Sequence, residues 1–443
     1  MRIQLSDHFT YKRLIVFSMS TVFMLICTSL YSIVDGFFVS NFVGKQPFAA
    51  VNLVMPVIMG VNTIGFMIGT GGSAIVSIAL GEKKPEQANE YFSMMIFAAA
   101  VLGVVVSVIG FVFTPEISKL LGASGELLDY CILYGRILFL ASPFFMLQTI
   151  FQSFFIVAEK PVLSLKINIL AGITNGVLDF LFIAVFKWGI AGAAAATMAG
   201  EILGCFIPFF YFARGNDSLL RLKAFRFHGK VFLKACANGS SEMVTNLSAS
   251  LVNILYNFQL MNLAGEDGVA AYGIIMYVNF VFTAVFIGYS VGTAPIISYH
   301  FGAGNLDELK NLFRKSLVLM SAGGILLTAA AELLSAPLVK LFASYDAELF
   351  QLTCYGFRLY SLAFLMMGIN IWGSSFFTAL NNGGVSALIS FMRTLIFQIA
   401  AILIMPAIWG VNGIWLSIVT AEVFAVAVVA VCFFALKNKY HYM

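Results

Sequence analysis

Charged residues are scarce in this chain. Asp, Glu, Lys and Arg make up only 10% of the 443 residues, whereas 60% are apolar and the mean hydropathy is +0.95. Such values lie far outside the range of soluble globular domains, so they exclude a water-soluble fold. The net charge of +4 is modest, and we expect no nucleic-acid partner. The composition predicts an integral membrane protein.

Cysteine and histidine are also few, and their spacing excludes several kinds of site. The six cysteines lie mostly in apolar stretches and form no C-x-x-C pair, so we expect neither a disulfide nor a metal cluster. The four histidines include no H-E-x-x-H pattern, and an enzyme is therefore not expected. No removable signal peptide is apparent, because the first apolar run is too long and lacks a small-residue cleavage site.

Long apolar stretches are abundant. Twelve of them are long enough to cross about 30 Å of hydrocarbon as α-helices. The strands of a β-barrel would instead be about ten residues of alternating polarity. The predicted spans are approximately 14–40, 48–80, 91–113, 128–156, 162–186, 190–213, 232–262, 269–300, 313–335, 349–379, 385–408 and 411–436.

The second half of the chain repeats the first at an offset of 221 residues. Six spans per repeat is an even number, so both repeats should insert with one orientation, with their pseudo-twofold axis along the membrane normal. We predict two six-helix bundles, an N-lobe at 1–213 and a C-lobe at 232–443, joined by a cytoplasmic linker at 214–231. Such a duplicated unit indicates transport. Matching pairs include Gly44 and Gly265, Gly71 and Gly292, Ser77 and Ser298, Tyr134 and Tyr355, Gly189 and Gly410, and Glu201 and Glu422.

Basic residues predict the orientation, because Lys and Arg in short loops stay on the cytoplasmic side. Placing the N-terminus inside puts eighteen Lys and Arg residues, Arg2 among them, in the cytoplasm. Only Lys45, Lys119, Lys187 and Lys340 then lie outside. Both termini are therefore predicted to be cytoplasmic.

A few polar residues fall within the first-half spans. Each ionisable residue in hydrocarbon costs a few kcal/mol or more, so it needs a partner, water or a function. Asp35 lies in the first helix and Asp179 in the fifth, where Asn175 projects from the same face four residues earlier. Thr197 lies at similar depth in the sixth helix. If these helices are neighbours, their oxygens can form a pocket of the hard ligands that Na⁺ prefers, or one of two repelling carboxylates can carry a proton.

The alternative for these residues is a structural role, since a lone Asp near a helix end can face the headgroups or bond a neighbouring helix. The repeat argues against this alternative. The positions equivalent to Asp35, Asn175, Asp179 and Thr197 are Tyr256, Ile396, Ala400 and Ile418. The second half keeps the scaffold without the acids, which favours a specialised role in the first half.

The second half offers a different pair, Glu242 and Arg393, each about nine residues from the predicted cytoplasmic end of its helix. We expect an ion pair, because a buried Arg requires a carboxylate, and direct contact with a drug or ion is the alternative. Glu201 and Glu422 occupy equivalent positions in both halves. A shared structural role is favoured for these two, with a role in coupling as the alternative.

The twelve spans, the first-helix Asp35, the Asn175 and Asp179 pair and the glycine-ended segments 73–81 and 293–302 resemble the MATE multidrug efflux family, in particular its bacterial MepA-like branch. The resemblance implies an antiporter in the bacterial plasma membrane that works as a monomer without a cofactor. A proton or sodium ion would enter as a cationic, amphipathic drug leaves. It also implies that Asp35, Asn175, Asp179 and Thr197 form the cation or proton site.

One departure from the family concerns proline. Some relatives carry a proline in the first helix, where protonation is proposed to bend it, whereas this chain has none before Pro47. The departure argues against a proline-hinged mechanism.

Other functions remain open at this stage. A flippase for lipid-linked oligosaccharides shares the architecture, but it should have a strongly basic cavity, and only Arg393 lies deep in the chain. An ion channel or a membrane enzyme is the alternative outside this class. A channel would not need so complete a repeat around acids confined to one half.

Overall fold

The structure is a computed structural model that describes residues 3–343 and 346–443. Arg2 and the side chain of Lys45, both used in the orientation prediction, lie outside the described residues. The described part is built from helices and contains no β-strand, which confirms the all-α prediction.

The first half of the chain contains six helices. They are α1 (Tyr11–Phe42), α2 (Lys45–Gly81), α3 (Pro85–Leu120), α4 (Gly125–Val157), α5 (Pro161–Asp179), which continues as a π turn (Phe180–Val185), and α6 (Gly189–Ala213). The second half contains α7 (Gly229–Gly302), α8 (Leu306–Ala343), α9 (Ala347–Ser361), α10 (Phe364–Ala379), α11 (Gly383–Phe391), a π turn (Met392–Ile396), α12 (Phe397–Trp409) and α13 (Val411–Tyr440).

These helices account for the twelve predicted spans. Ten are long and apolar enough to cross a membrane, and the pair α9 and α10, bent by 49°, counts as an eleventh. Gly265 divides the 74 residues of α7 into two helical segments, because its φ of 63° and ψ of −153° are not helical. A positive φ of this kind favours glycine. Counting the two segments separately raises eleven spans to twelve.

The 221-residue repeat is visible in the backbone as well as in the sequence. Gly44, the position equivalent to Gly265, also has a positive φ, at 114°. Gly189 and Gly410, again an equivalent pair, have φ values of 59° and 57°, at the first residue of α6 and directly before α13. The two halves therefore break their helices at the same places.

The chain forms two compact units, and these exchange segments relative to the repeat. Unit 1 consists mainly of Phe23–Gly239 and unit 2 of Ser6–Val22 with Ser240–Met443. The first turns of α1 thus belong to the unit built from the second half, and the first turns of α7 belong to the unit built from the first. The sequence placed the boundary at the linker and did not reveal this exchange.

Glycines hold the exchanged segment of α7 against α2 in unit 1. A Cβ on Gly71 would lie 2.0 Å from the carbonyl oxygen of Ala235, and a Cβ on Gly239 would lie 1.9 Å from that of Met67. Neither distance is sterically possible, so both positions require glycine. In unit 2 the position equivalent to Gly71 is less tightly packed, since a Cβ on Gly292 would lie 3.0 Å from the Cα and Cβ of Ser18, although a Cβ on Gly288 would lie 2.5 Å from the Cα of Val22.

The start of the chain is fastened within unit 2 by polar side chains of α8. Phe9 is fully buried, and its N–H donates to Glu308 at 2.9 Å. Its carbonyl oxygen accepts from Asn311 at 2.9 Å and from Lys315 at 2.7 Å. The backbone N–H and C=O of this buried residue therefore both have hydrogen-bond partners.

We expect Glu308→Ala to lower the stability of the protein, because the buried N–H of Phe9 would lose its acceptor. An unsatisfied buried donor costs about 1–3 kcal/mol. The measurement is the thermal midpoint of the detergent-purified protein. Glu86→Ala is the matched control, since that carboxylate is 80% exposed and bonds the surface Lys223, and an equal shift in both variants would contradict the role of Glu308.

The linker lies along α3 as a fastened surface segment. Its backbone N–H groups donate to three side chains of α3: Arg221 to Asn89 at 2.6 Å, Lys223 to Ser93 at 2.9 Å and Arg226 to Glu90 at 2.9 Å. In the same region the ammonium of Lys160 bonds Asp217 at 2.6 Å, which lowers the pKa of that carboxyl. Its cytoplasmic location stays a prediction.

Candidate functional site

The structure brings Asp35 of α1 and Asp179 of α5 together in unit 1. Their carboxyl groups lie close enough to interact directly. Asp179 is fully buried, and neither of its oxygens, nor Oδ1 of Asp35, has a hydrogen-bond donor in the described residues. Two ionised carboxylates offer no donor to each other, so a proton or a metal cation between them would satisfy the pair.

Local helix geometry positions this pair. Asp179 is the last residue of α5 before the π turn Phe180–Val185, a helix distortion that is frequent at functional sites. Asn175 lies one turn earlier with 6% of its surface exposed, and its Nδ2 has no acceptor in the described part. A Cβ on Gly200 of α6 would lie 3.4 Å from the Cβ of Asn175. Close packing of α5 on α6 therefore sets the depth of the amide.

Thr197 of α6 contributes less directly than expected. Its hydroxyl donates to the carbonyl oxygen of Ala193 at 3.2 Å. Among the described residues, no hydrogen bond links it to Asp35 or Asp179. Its oxygen lone pairs are still available to a cation, so a sodium site at Asp35, Asn175, Asp179 and Thr197 stays a prediction.

Two tyrosines that the sequence reasoning missed extend the site. Tyr134 of α4 is 1% exposed and lies within electrostatic range of Asp35, Asp179 and Glu201. Tyr31 lies within range of Asp35 and Glu201. Tyr31 was detectable, because it precedes Asp35 by four residues and so shares its helix face, whereas Tyr134 comes from a different helix and left no such signal.

A complete ion pair occupies unit 2. Arg393, in the π turn Met392–Ile396, donates through Nε and Nη2 to Glu422 of α13 at 2.9 Å and 2.8 Å. Asn370 of α10 donates to the same carboxylate at 2.6 Å. Glu422 is fully buried, and an arrangement with two donors to one carboxylate and a further amide is the kind that tolerates burial.

This geometry corrects one expectation from the sequence. Arg393 pairs with Glu422 and not with Glu242, which lies within range of the guanidinium charge without a hydrogen bond to it in the described residues. Equal depth in two helices did not reveal which helix the guanidinium faces. Glu201 and Glu422 also differ, because only Glu422 has a basic partner, whereas Oε2 of Glu201 is buried without one in the described part.

Comparison with known proteins identifies the family. The sequence model of the MatE family matches residues 21–181 and 233–404, which is most of the chain. The multidrug export protein MepA of Staphylococcus haemolyticus (strain JCSC1435) is 23% identical over 97% of this chain and 94% of its own. MepA of Staphylococcus aureus (strain MSSA476) is 24% identical over 93% of this chain and 91% of its own.

Solved structures share the fold. A MATE protein in complex with MaL6 gives a TM-score of 0.92 at 20% identity, covering 97% of this chain and 98% of that one. An outward-facing multidrug resistance MATE family transporter of the MOP superfamily gives 0.91 at 21% identity with the same coverage. A MOP superfamily transporter from Pyrococcus furiosus Vc1 (DSM3638), whose pocket of reverse polarity suggests a different function, gives 0.88 at 20% identity over 95% of both chains.

These matches confirm the resemblance inferred from the sequence, the twelve-helix architecture and the expectation that the protein is not an enzyme. The chain belongs to the MatE family, a family of multi-pass membrane transporters.

Proposed function

We propose that this protein is a cation-coupled antiporter that exports cationic, amphipathic drugs from the cell by alternating access. Its relatives in two staphylococci are multidrug export proteins. The observation that carries the proposal is the pair of Asp35 and Asp179, three of whose four carboxylate oxygens are buried without a donor in the described residues. We place the protein in the bacterial plasma membrane, as a monomer with both termini in the cytoplasm and no cofactor beyond the coupling ion.

We infer that the pair of Asp35 and Asp179 exchanges the drug for the coupling ion. When both carboxylates are ionised, the site attracts a cationic drug and repels further negative charge. A proton that binds the pair removes this attraction, and the drug leaves. The same step can be performed by a sodium ion held by Asp35, Asn175, Asp179 and Thr197, so the proton and the sodium ion are the two occupants to be compared.

The proton is the ion that we propose. A short contact between two carboxyl groups is satisfied by one proton, which supplies the missing donor to both residues. A sodium ion would need further oxygens, and the hydroxyl hydrogen of Thr197 already bonds Ala193 within its own helix.

The rival flippase function loses its main support in the structure. A carrier of lipid diphosphates needs basic groups that are free to bind phosphate. Arg393, the deep cation considered for that role, is neutralised by Glu422.

Purified protein in liposomes tests the proposal. We expect a pH gradient that is acidic inside the liposomes to drive uptake of tetraphenylphosphonium, because protons then leave as the drug enters. We expect a sodium gradient at constant pH to drive no uptake. Uptake that is driven by the sodium gradient and not by the pH gradient would show that sodium, and not the proton, is the coupling ion. Uptake that follows neither gradient would overturn antiport.

A further inference from the structure

The two halves of the chain treat an equivalent glutamate in opposite ways. Glu422 is held by Arg393 and Asn370. At the offset of 221 residues, Glu201 corresponds to Glu422 and Gly172 to Arg393. The first half therefore keeps the acid, in a partly buried position, and lacks the cation that neutralises its counterpart.

The place of the missing cation is filled by an aromatic ring. A Cβ on Gly172 would lie 2.9 Å from a ring carbon of Tyr31, so this ring occupies the space into which a longer side chain would extend. The position equivalent to Tyr31 in the second half is Val252, which is smaller. The two positions differ together between the halves: the second half has an arginine and a valine, and the first half has a glycine and a tyrosine.

The ionisable side chains of other helices that interact electrostatically with Glu201 are the phenols of Tyr31 and Tyr134, and the thiol of Cys205 lies one turn further along α6. Tyr31 of α1 also lies within electrostatic range of Asp35, and Tyr134 of α4 lies within range of Asp35 and Asp179, so the two phenols connect Glu201 to the acid pair. The π turn that packs on α6 has the sequence FLFIAV and contributes no ionisable group. Oε2 of Glu201 is buried without a partner in the described residues.

An ionised carboxylate in such surroundings would be costly, and a proton is the simplest way to neutralise it. The cluster also contains Asp179, which is fully buried with both oxygens lacking a donor in the described part. Glu201 and Asp179 thus share one deficiency, because each has a buried carboxylate oxygen without a hydrogen-bond donor in the described residues.

We propose that Glu201 is a proton-binding site of the transport cycle, distinct from the pair of Asp35 and Asp179, and that its proton is exchanged in addition to theirs. This inference rests on the proposed antiport. Exchange of one proton for one monovalent drug cation moves no net charge, so the membrane potential contributes nothing to it. A further proton makes the exchange electrogenic and adds about 2.3 kcal/mol per 100 mV.

The first test uses the unmodified protein and a hydrophobic carbodiimide. The proton of a carboxylic acid passes to a carbodiimide nitrogen while its oxygen bonds the central carbon, and the adduct rearranges to a stable N-acylurea. Mass spectrometry of the digested protein should find the label on Glu201, more of it at lower pH, and none on the ion-paired Glu422. No label on Glu201, or equal labelling of both glutamates, would overturn the proposal.

The second test uses Glu201→Gln in liposomes. The variant should still be driven by a pH gradient, but without the dependence on membrane potential shown by the wild type. At a pH difference of one unit, its limiting drug ratio should be about tenfold lower, because one fewer proton is exchanged. A proton-to-drug ratio equal to that of the wild type would overturn the proposal, whereas loss of pH coupling in the wild type itself would instead refute the antiport.

A double variant rebuilds the arrangement of the second half. Tyr31→Val with Gly172→Arg should place a guanidinium beside Glu201 and so remove its proton while Glu201 is kept. We expect the same loss of potential dependence as in Glu201→Gln. If either variant accumulates poorly in the membrane, the labelling of the wild type decides the question alone.

Discussion

Asp35→Asn and Asp179→Asn are each expected to abolish drug uptake driven by a pH gradient, to the level of empty liposomes. An amide has nearly the shape of a carboxylate but cannot exchange a proton, so the variant can neither attract a drug cation nor release it on protonation. Removing one carboxylate also removes the repulsion within the pair. The fold should therefore be retained, with membrane abundance near that of the wild type.

Asp129→Asn provides the matched control for these variants. Asp129 is an exposed acid of α4, so its amide variant should transport like the wild type. Full drug uptake by both Asp35→Asn and Asp179→Asn would refute the role of the pair. Transport lost together with membrane abundance would show that these acids are structural.

Gly71→Ala is expected to have the largest effect on folding. The added methyl group would lie 2.0 Å from the carbonyl oxygen of Ala235, so α2 and the first turns of α7 must separate. Overpacking of this kind typically costs about 1–3 kcal/mol, and occasionally more. Because the contact here is to backbone and cannot be relieved by a rotamer change, we expect a cost at or above the upper end and a marked loss of folded protein.

Two further glycines give this prediction a graded control. Gly292→Ala, at the equivalent position, meets Ser18 at 3.0 Å and should be milder. Gly273→Ala has no atom within 4 Å of the added carbon and should be neutral or slightly stabilising, since alanine favours a helix over glycine by about 1 kcal/mol. Thermal midpoints from fluorescence-detected gel filtration should follow this order, and equal midpoints for Gly71→Ala and Gly273→Ala would contradict the crossing.

Much of the fold was predictable from the sequence because its determinants are local. Long apolar runs gave the spans, and glycines such as Gly44 and Gly265 marked the same breaks in both halves. The exchange of residues 6–22 between units was not predictable. It depends on close helix crossings at Gly288 and Gly292, which approach Val22 and Ser18, and a glycine in a sequence does not show which helix approaches it.

The site was predictable to the extent that it lies on single helices. Asn175 and Asp179 are one helical turn apart, so their common face followed from spacing alone. The partner of Arg393 was not predictable, since Glu242 and Glu422 are both acids within helices that the sequence places in the membrane. The sequence also did not show that Glu201 lacks a cation. That became clear from the Arg393–Glu422 ion pair, because the first-half position equivalent to Arg393 is Gly172, which has no side chain.

Proton release on drug binding is the most direct test of the acid pair. The measurement adds tetraphenylphosphonium to purified protein in weakly buffered detergent solution and records the pH change with an indicator dye. We expect the wild-type protein to release protons as the drug binds, and the Asp179→Asn variant to release fewer. Drug binding by the wild type without any proton release, or an unchanged release in Asp179→Asn, would contradict the proposed exchange at Asp35 and Asp179.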